Sequence, residues 1–185
     1  MTFPHHTLDT APAAAKATLT SMTKEFGFLP AAAARMSNSP ELLHAFTRSN
    51  ALFERTTLTP LQRETLVMTL AVRNGCHVCI AMHTAMLTRS GADPELVAAL
   101  RDQRELPDPA LEALRRFTIA VTETAGGVPD EQIRDFLAHG YTGQNALEVV
   151  LGVGTYTFST FANRMTDSPV DPVFAEFAAA GARRT

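Results

Sequence analysis

Two cysteines and a histidine stand close together in the chain, at Cys76, Cys79 and His83. Spacings of three and four residues place all three on one face of a helix. Cysteines separated in this way have Cα atoms about 5–6 Å apart, which suits a disulfide. A histidine one turn after Cys79 is positioned to take a proton from its thiol. The group can therefore carry thiol redox chemistry.

A carboxylate earlier in the chain, Glu64, completes this group if the chain folds back on itself. Along one continuous helix Glu64 would lie roughly 28 Å from His83, at ~1.5 Å per residue. The Asn74-Gly75 step between them predicts a break between two helices. In an antiparallel pair, Glu64 lies about 16 Å before the turn and His83 about 12 Å after it. A carboxylate opposite the imidazole orients the ring and stabilises its protonated form.

Each of these side chains has a place in the reduction of a peroxide. A thiolate attacks the O–O bond, so a base must first take the thiol proton. His83 can remove that proton and later return it to the leaving alkoxide. The attack leaves a sulfenic acid, and the second cysteine condenses with it to form a disulfide. An external dithiol must then reduce the disulfide by exchange.

The elements that must position these residues are predicted to be helices, packed as an all-α domain over residues 1–185. No long run of alternating β-branched residues is present. Helix starts are marked by a capping residue followed by proline, at Ser39, Thr59, Asp93, Asp108 and Asp171. The predicted helices cover residues 12–26, 30–37, 40–54, 60–73, 76–90, 94–103, 109–125, 129–139, 143–166 and 172–182.

One stretch of the chain, 149–161, permits two interpretations. Its β-branched and aromatic residues are typical of a strand. Its length, and the helical spacing of Leu147, Leu151, Tyr156 and Phe158, favour a buried helix instead. We therefore predict a helix here.

Composition and charge narrow the functional classes. The 185-residue chain has a net charge of −3 and no basic stripe, which argues against nucleic acid, since phosphate binding needs clustered Lys and Arg. Its apolar runs are too short, and too often interrupted by charges, to span a bilayer. The N-terminal residues lack the basic and apolar segments of a secretory signal. A close cysteine pair without such a signal indicates redox chemistry or metal binding in the cytoplasm.

The complete motif is Glu64, eleven residues, Cys76-x-x-Cys79, three residues and His83. It resembles the signature of the alkylhydroperoxidase AhpD-like branch of the carboxymuconolactone decarboxylase superfamily. The resemblance covers about residues 30–100 and extends weakly to Asn163, which resembles an asparagine in the last long helix of longer members.

The resemblance implies an all-α fold, a homo-oligomer and no bound organic cofactor or metal. It assigns the active-site roles to Glu64, Cys76, Cys79 and His83, with the attack on the peroxide made by Cys79. The expected partners are a hydroperoxide and an external dithiol reductant, either a lipoyl protein or a thioredoxin-like one.

The chain departs from the family at one position. The family often has a second histidine directly before the second cysteine, where this chain has Val78. His77 lies one position earlier, about 100° around the helix. A proton relay through that second histidine is therefore in question, and we interpret His77 as a solvent or interface residue.

These residues are compatible with several functions. The favoured one is a thiol-dependent peroxidase that acts on organic hydroperoxides or hydrogen peroxide. A disulfide reductase or a redox sensor would use the same cysteines without peroxide turnover. A decarboxylase or ring-opening enzyme of the wider superfamily would need no cysteine pair. A zinc-stabilised binding module would use Cys76, Cys79, His83 and Glu64 as metal ligands.

Overall fold

The computed structural model describes residues 2–178, and within that range every regular element is helical, as predicted. Each of the first nine predicted helices is present, with bounds that differ by at most two residues. These nine helices are α1 Ala13–Phe26, α2 Ala31–Met36, α3 Pro40–Phe53, α4 Pro60–Arg73, α5 His77–Arg89, α6 Pro94–Arg101, α7 Pro109–Glu123, α8 Asp130–Ala138 and α9 Gly143–Met165.

Four of the five predicted cap-and-proline starts form hydrogen-bonded caps. Ser39, Thr59, Asp93 and Asp108 each accept a hydrogen bond from a backbone N–H in the first turn of the helix that follows. At Thr59 the partner is the Gln62 N–H, and the Gln62 side chain in turn accepts from the Thr59 N–H. This capping box defines the start of α4, the helix that carries Glu64.

The fifth predicted start behaves differently. The Asp171 carboxylate accepts from the backbone N–H of Ala31, at 3.1 Å, and makes no capping hydrogen bond to the helix that follows it. A 3-10 helix, Pro172–Phe177, forms there instead of the predicted α-helix over 172–182. The last four residues of that prediction lie outside the described part of the chain. The prediction fails because a long-range contact takes the capping side chain.

The ambiguous stretch 149–161 is helical and lies inside the longest helix, α9. This helix packs against α2, α3, α4 and α7. Its closest approach is at Gly152, where an added Cβ would lie 2.7 Å from the Phe53 ring and 2.9 Å from Leu66. Only glycine lets the three helices meet so closely there.

The core brings together α4, α7 and α9. Its buried members include Leu66 and Leu70 of α4, Leu114 and Phe117 of α7, and Val149 of α9. A second apolar cluster joins α4 and α5 to α6. Since α4 contributes to both, it forms a fixed central element against which α5 and α9 are placed.

The segment after α9 returns across α5. Val170 packs on the cluster that contains both cysteines, and Phe174 packs on Ala81 and Ala85. Arg101 donates one hydrogen bond to the carbonyl of Phe177. This segment covers one side of the start of α5. None of the helices in residues 2–178 is long and apolar enough to cross a membrane.

Candidate active site

The turn between α4 and α5 folds the two helices back on each other, as predicted. Gly75 adopts a positive φ of 61°, a conformation that glycine adopts without strain. The Asn74 side chain donates to Thr160 Oγ1 of α9 at 3.0 Å, which ties the turn to the third helix of the site. The reversal places His83 Nδ1 2.8 Å from Glu64 Oε2.

The imidazole of His83 is held in one orientation. Its side chain is only 3% exposed, and that of Glu64 is 19% exposed. Since a carboxylate accepts hydrogen bonds, Nδ1 carries the proton and Nε2 presents its lone pair. Nε2 is buried and has no hydrogen-bonding partner among residues 2–178. The ring also contacts Tyr156 edge-on, with 5.6 Å between centroids. The imidazole therefore presents Nε2 as a base to which no described residue donates a hydrogen bond.

The two cysteines form a contacting pair of free thiols. Cys76 is the N-cap of α5, and its sulfur accepts a hydrogen bond from the backbone N–H of Cys79 at 3.4 Å. The two sulfur atoms lie 2.7 Å apart. Both side chains are buried. The short separation makes a disulfide accessible with little backbone movement.

The thiols differ in acidity. A hydrogen bond from the Cys79 thiol, assisted by the Cys79 backbone N–H and Asn163, lowers the pKa of Cys76 to about 7, although burial opposes the shift. The pKa of the Cys79 thiol is raised well above its usual value, because it donates that hydrogen bond and because it is buried. The pair therefore loses one proton readily, and the remaining proton stays on Cys79, which donates it to the sulfur of Cys76.

Helix α9 contributes two hydrogen-bonding groups to the sulfur of Cys79. Asn163 Nδ2 lies 3.4 Å from this sulfur and 3.8 Å from that of Cys76. Ser159 Oγ lies 3.8 Å from the sulfur of Cys79 and 3.5 Å from Asn163 Nδ2. Both α9 side chains are buried. The resemblance pointed to Asn163, whereas Ser159 and Tyr156 were missed; the available signal was their spacing with Asn163 on one helix face.

His77 lies outside this group. Its Nε2 is 3.0 Å from the backbone carbonyl oxygen of Ser168, in the segment that follows α9. It is partly buried by that contact and does not line the cavity described below. Its role is to hold the covering segment, and it does not take the place of the missing second histidine.

The residues proposed as zinc ligands do not converge. No group of three or more His, Cys, Asp or Glu side chains in residues 2–178 is arranged to hold a metal ion. His83 instead directs Nδ1 to Glu64, while the cysteines contact each other and α9. The geometry gives the zinc-module interpretation no support.

A cavity of about 1050 Å³ gives access to the site. Cys79, His83, Tyr156, Ser159 and Asn163 all contribute to its wall. Cys76 does not, although it touches Cys79. A small molecule that enters the cavity therefore meets the sulfur of Cys79 and the imidazole before it meets Cys76.

The described part of the protein is all-helical and buries two thiols beside a histidine–carboxylate pair. Residues 40–123, which carry Glu64, Cys76, Cys79 and His83, match the carboxymuconolactone decarboxylase family. The predicted resemblance to that superfamily is confirmed for the segment that holds the motif. No curated protein sequence gives a significant match to the chain.

Solved structures share the fold over nearly the whole chain. The alkylhydroperoxidase AhpD core of an uncharacterized peroxidase-related protein from Ralstonia eutropha JMP134 has a TM-score of 0.81 at 20% identity, covering 93% of each chain. A peroxidase-related protein from Silicibacter sp. TM1040 has a TM-score of 0.76 at 17% identity, covering 94% of this chain and 92% of that one.

A third similar structure is the debrominase Bmp8, solved as a cysteine-to-alanine variant in complex with 2,3,4-tribromopyrrole. It has a TM-score of 0.73 at 18% identity and covers 95% of this chain and 94% of that one. At these identities the likeness establishes the AhpD-like fold, and the activity has to be argued from the site.

Proposed function

We propose that the protein is a thiol-dependent peroxidase that reduces organic hydroperoxides or hydrogen peroxide. The observation that carries the proposal is the buried Nε2 of His83, which Glu64 orients from the other side of the ring. This base shares a cavity with the sulfur of Cys79, whose neighbour Cys76 can complete a disulfide. The family match and the peroxidase-related structural neighbours agree with this assignment.

The first step transfers one oxygen atom to sulfur. His83 Nε2 takes the thiol proton, and the sulfur of Cys79 attacks the terminal oxygen of the hydroperoxide. The S–O bond forms as the O–O bond breaks, and the alkoxide leaves with the proton that His83 returns. The products are an alcohol and a sulfenic acid, so the peroxide is reduced and the sulfur oxidised by two electrons.

The second step closes the disulfide. The Cys76 thiolate attacks the sulfenic sulfur, and hydroxide leaves with a proton as water. An external dithiol, from a lipoyl or thioredoxin-like protein, then exchanges with the disulfide and restores both thiols. This regeneration requires a reducing compartment, so we propose a cytoplasmic location.

Two arguments compete over which cysteine attacks. Acidity favours Cys76, which has the lowered pKa at the N-terminus of α5. Access favours Cys79, because Cys79 lines the cavity that contains His83 and Cys76 does not. We favour Cys79, since a sulfur that the peroxide cannot reach cannot react with it. Cys79 keeps its proton at rest because Cys76 carries the negative charge, and His83 must take this proton as the peroxide binds.

We also propose that the chain forms a homo-oligomer through the outer face of α9. Leu147, Gly154, Phe158, Phe161 and Met165 are all solvent-exposed on this face. Together with Leu151 they follow one another at intervals of 4, 3, 4, 3 and 4 residues. This series of intervals is the same from either end of the helix. Two antiparallel copies would set Gly154 of one against Phe158 of the other, so a second copy of the chain fits the surface.

A second candidate activity is reductive removal of a halogen from an aromatic compound. The observation in its favour is a cavity large enough for an aromatic ring, in a fold shared with the debrominase Bmp8. The thiolate would take the bromine, the ring carbon would take a proton, and the second thiol would displace bromide to form the disulfide. Release of bromide from a bromopyrrole, with loss of two thiols, would identify this activity.

The direct test is a thiol titration of the reduced protein before and after one equivalent of cumene hydroperoxide. The proposal predicts loss of both thiols in each chain, formation of the Cys76–Cys79 disulfide and release of one equivalent of alcohol. The Cys79→Ser variant is the control and should keep its remaining thiol. Unchanged thiols in the native chain would contradict the proposal, and purely intermolecular disulfides would contradict the assigned resolving step.

A further inference from the structure

The cavity beside Cys79 is much larger than hydrogen peroxide requires. Its volume is about 1050 Å³, whereas a molecule the size of two waters occupies roughly 60 Å³. Cavities of several hundred Å³ and more are those in which proteins bury organic ligands of many atoms. The substrate that this space fits therefore has a body well beyond its reactive oxygen atoms.

The wall of the cavity is mainly apolar. Large apolar side chains come from α1, α3, α5 and the 3-10 helix: Met22, Phe26, Phe46, Met82, Met86 and Phe174. Three flexible methionines are among them, and such side chains adapt to an irregular ligand. Phe26, Leu61 and Met86 are 41%, 39% and 45% exposed where they line the cavity. An apolar body would remove this surface from water.

The charged groups of the cavity are nearly all acidic. Glu25, Glu54, Glu64 and Asp171 contribute to the wall. Among the described lining residues, Arg63 is the only Lys or Arg. Its Nε lies 3.2 Å from Glu54 Oε2, its Nη1 donates to the carbonyl of Leu58, and its side chain is 13% exposed. This cation is already neutralised and is not directed at a ligand.

From these observations we infer that the cavity selects an uncharged organic hydroperoxide with a long or bulky apolar body, and rejects one that carries a carboxylate. This inference rests on the proposed peroxidase function and names its substrate class. An anionic ligand would lose its hydration beside Glu25, Glu64 and Asp171 without gaining a Lys or Arg, since the charges of Glu54 and Arg63 offset each other. An uncharged ligand would gain the apolar contacts and keep its reactive end at Cys79.

The test compares ligands that differ only in charge. The hydroperoxides of linoleic acid and of its methyl ester, below their aggregation limits, are supplied as substrates beside hydrogen peroxide. We expect kcat/KM for the ester to exceed that for the free acid, and that for hydrogen peroxide, by at least about tenfold. Equal values, or a preference for the acid or for hydrogen peroxide, would overturn the inference.

Binding is measured separately, by calorimetry with linoleate and methyl linoleate, which lack the peroxide group. The inference predicts tighter binding of the ester. If no peroxide is consumed while the ester still binds in preference, the peroxidase function fails and the selectivity of the cavity stands. If the two ligands bind equally, the inference fails even when peroxides are turned over.

Two variants connect the preference to the cavity. Glu25→Lys, at an exposed lining position, should reduce the ester-to-acid ratio severalfold, whereas Glu105→Lys, an exposed glutamate outside the cavity, should not. Ala51→Trp should lower kcat/KM for the ester more than kcat/KM for hydrogen peroxide, because Ala51 is an exposed lining residue and the added ring takes space that only the larger substrate needs. The matched control is Ala17→Trp, at an exposed position of α1 outside the cavity. The inference would be refuted if Glu25→Lys left the ester-to-acid ratio unchanged and Ala51→Trp left the ratio of ester to hydrogen peroxide unchanged.

Discussion

The two faces of α9 invert the usual arrangement of a helix in a globular protein. Its inner face buries polar side chains, among them Tyr156, Ser159 and Asn163, whereas its outer face exposes Leu147 and Phe161. From Gln144 to Phe161 no exposed side chain of this helix is charged. A helix normally buries its apolar stripe and exposes its polar one. Such an inversion indicates that both faces have a use beyond filling the core.

The inner face is polar because it completes a reactive site. Buried polar groups need partners, and most of these have them: Tyr156 donates to Asn50, and Thr160 accepts from Asn74. The exceptions are Thr155 Oγ1 and Asn163 Oδ1 of α9 and His83 Nε2 of α5, each buried without a partner in the described residues. Unsatisfied groups of this kind cost stability and persist where function uses them.

The largest expected effect comes from removing the sulfur that α9 contacts. Cys79→Ser should lower peroxide turnover by at least about a thousandfold, because the covalent route is lost. Cys76→Ser should instead react once and accumulate a sulfenic acid at Cys79. The measurement is mass spectrometry with a sulfenic-acid trap after one equivalent of peroxide. Rapid labelling of Cys76 in the Cys79→Ser protein, with none at Cys79 in the other, would reverse the roles.

The next effect comes from the group that orients the base. Glu64→Gln should lower kcat/KM by roughly 10–100-fold, since partners that orient a catalytic imidazole have effects of this size. The amide can accept from Nδ1 or donate to it, so the tautomer is no longer fixed. The melting temperature should change little, and Glu41→Gln, an exposed glutamate of α3, is the matched control. Full activity with a lower melting temperature would make Glu64 a structural residue.

Much of the site follows from local sequence. The fold-back at Asn74-Gly75 and the distance of each residue from it predict that Glu64 meets His83, and they do. The caps at Ser39 and Thr59 likewise predict where helices begin. These features are local, because a turn and the helical rise determine them. The organisation of residues 1–185 as a single domain remains a prediction.

The contribution of α9 could not be predicted in the same way. Ser159 reaches Cys79 from 80 positions along the chain, through the packing of whole helices. Helical periodicity tells which residues share a face, and not which distant helix that face meets. The inversion of α9 adds to the difficulty, since a hydrophobic pattern would turn Phe161 inward. The hydrogen bond from Ala31 to Asp171 also joins distant parts of the chain, so it could not be predicted from the sequence.

A smaller effect is expected from the α9 amide that contacts both sulfurs. Asn163 helps to lower the pKa of Cys76 to about 7, so the Cys76 thiolate that closes the disulfide is present above that pH and is lost as pH falls through it. The rate of disulfide closure should therefore rise as pH increases through about 7. Asn163→Leu should move this rise upward by about one pH unit, since hydrogen bonds to charged groups contribute ~1.5–3 kcal/mol.

The measurement is the pH profile of iodoacetamide alkylation, together with that of turnover. Asn38→Leu is the control, because Asn38 bonds to the carbonyls of Pro4 and Arg35 away from the site. A profile of the Asn163 variant that coincides with that of the native chain would show that the amide does not stabilise the anion. The inner face of α9 would then be structural.

A substitution on the outer face of α9 should have the smallest effect on peroxide turnover and a large effect on oligomer formation. Leu147→Glu puts a charge into an apolar stripe about 27 Å long, from residue 147 to residue 165 at ~1.5 Å per residue. In an antiparallel pair the charge would enter the interface twice, once from each copy, next to Met165 of the other chain. Burying an unpaired carboxylate is costly enough to separate a modest interface. Light scattering should therefore show the native chain as an oligomer and the variant as a species of about 20 kDa.

Turnover per chain should stay near the native value, because no residue of the stripe lines the cavity. Leu137→Glu supplies the matched control, since it makes the same substitution at an exposed leucine of α8. A native chain that already runs at the mass of one subunit would remove the proposed role of this face. If both variants dissociated the oligomer equally, its interface would lie elsewhere. Dissociation by Leu147→Glu alone, with turnover retained, would separate the two faces of α9 into one for chemistry and one for assembly.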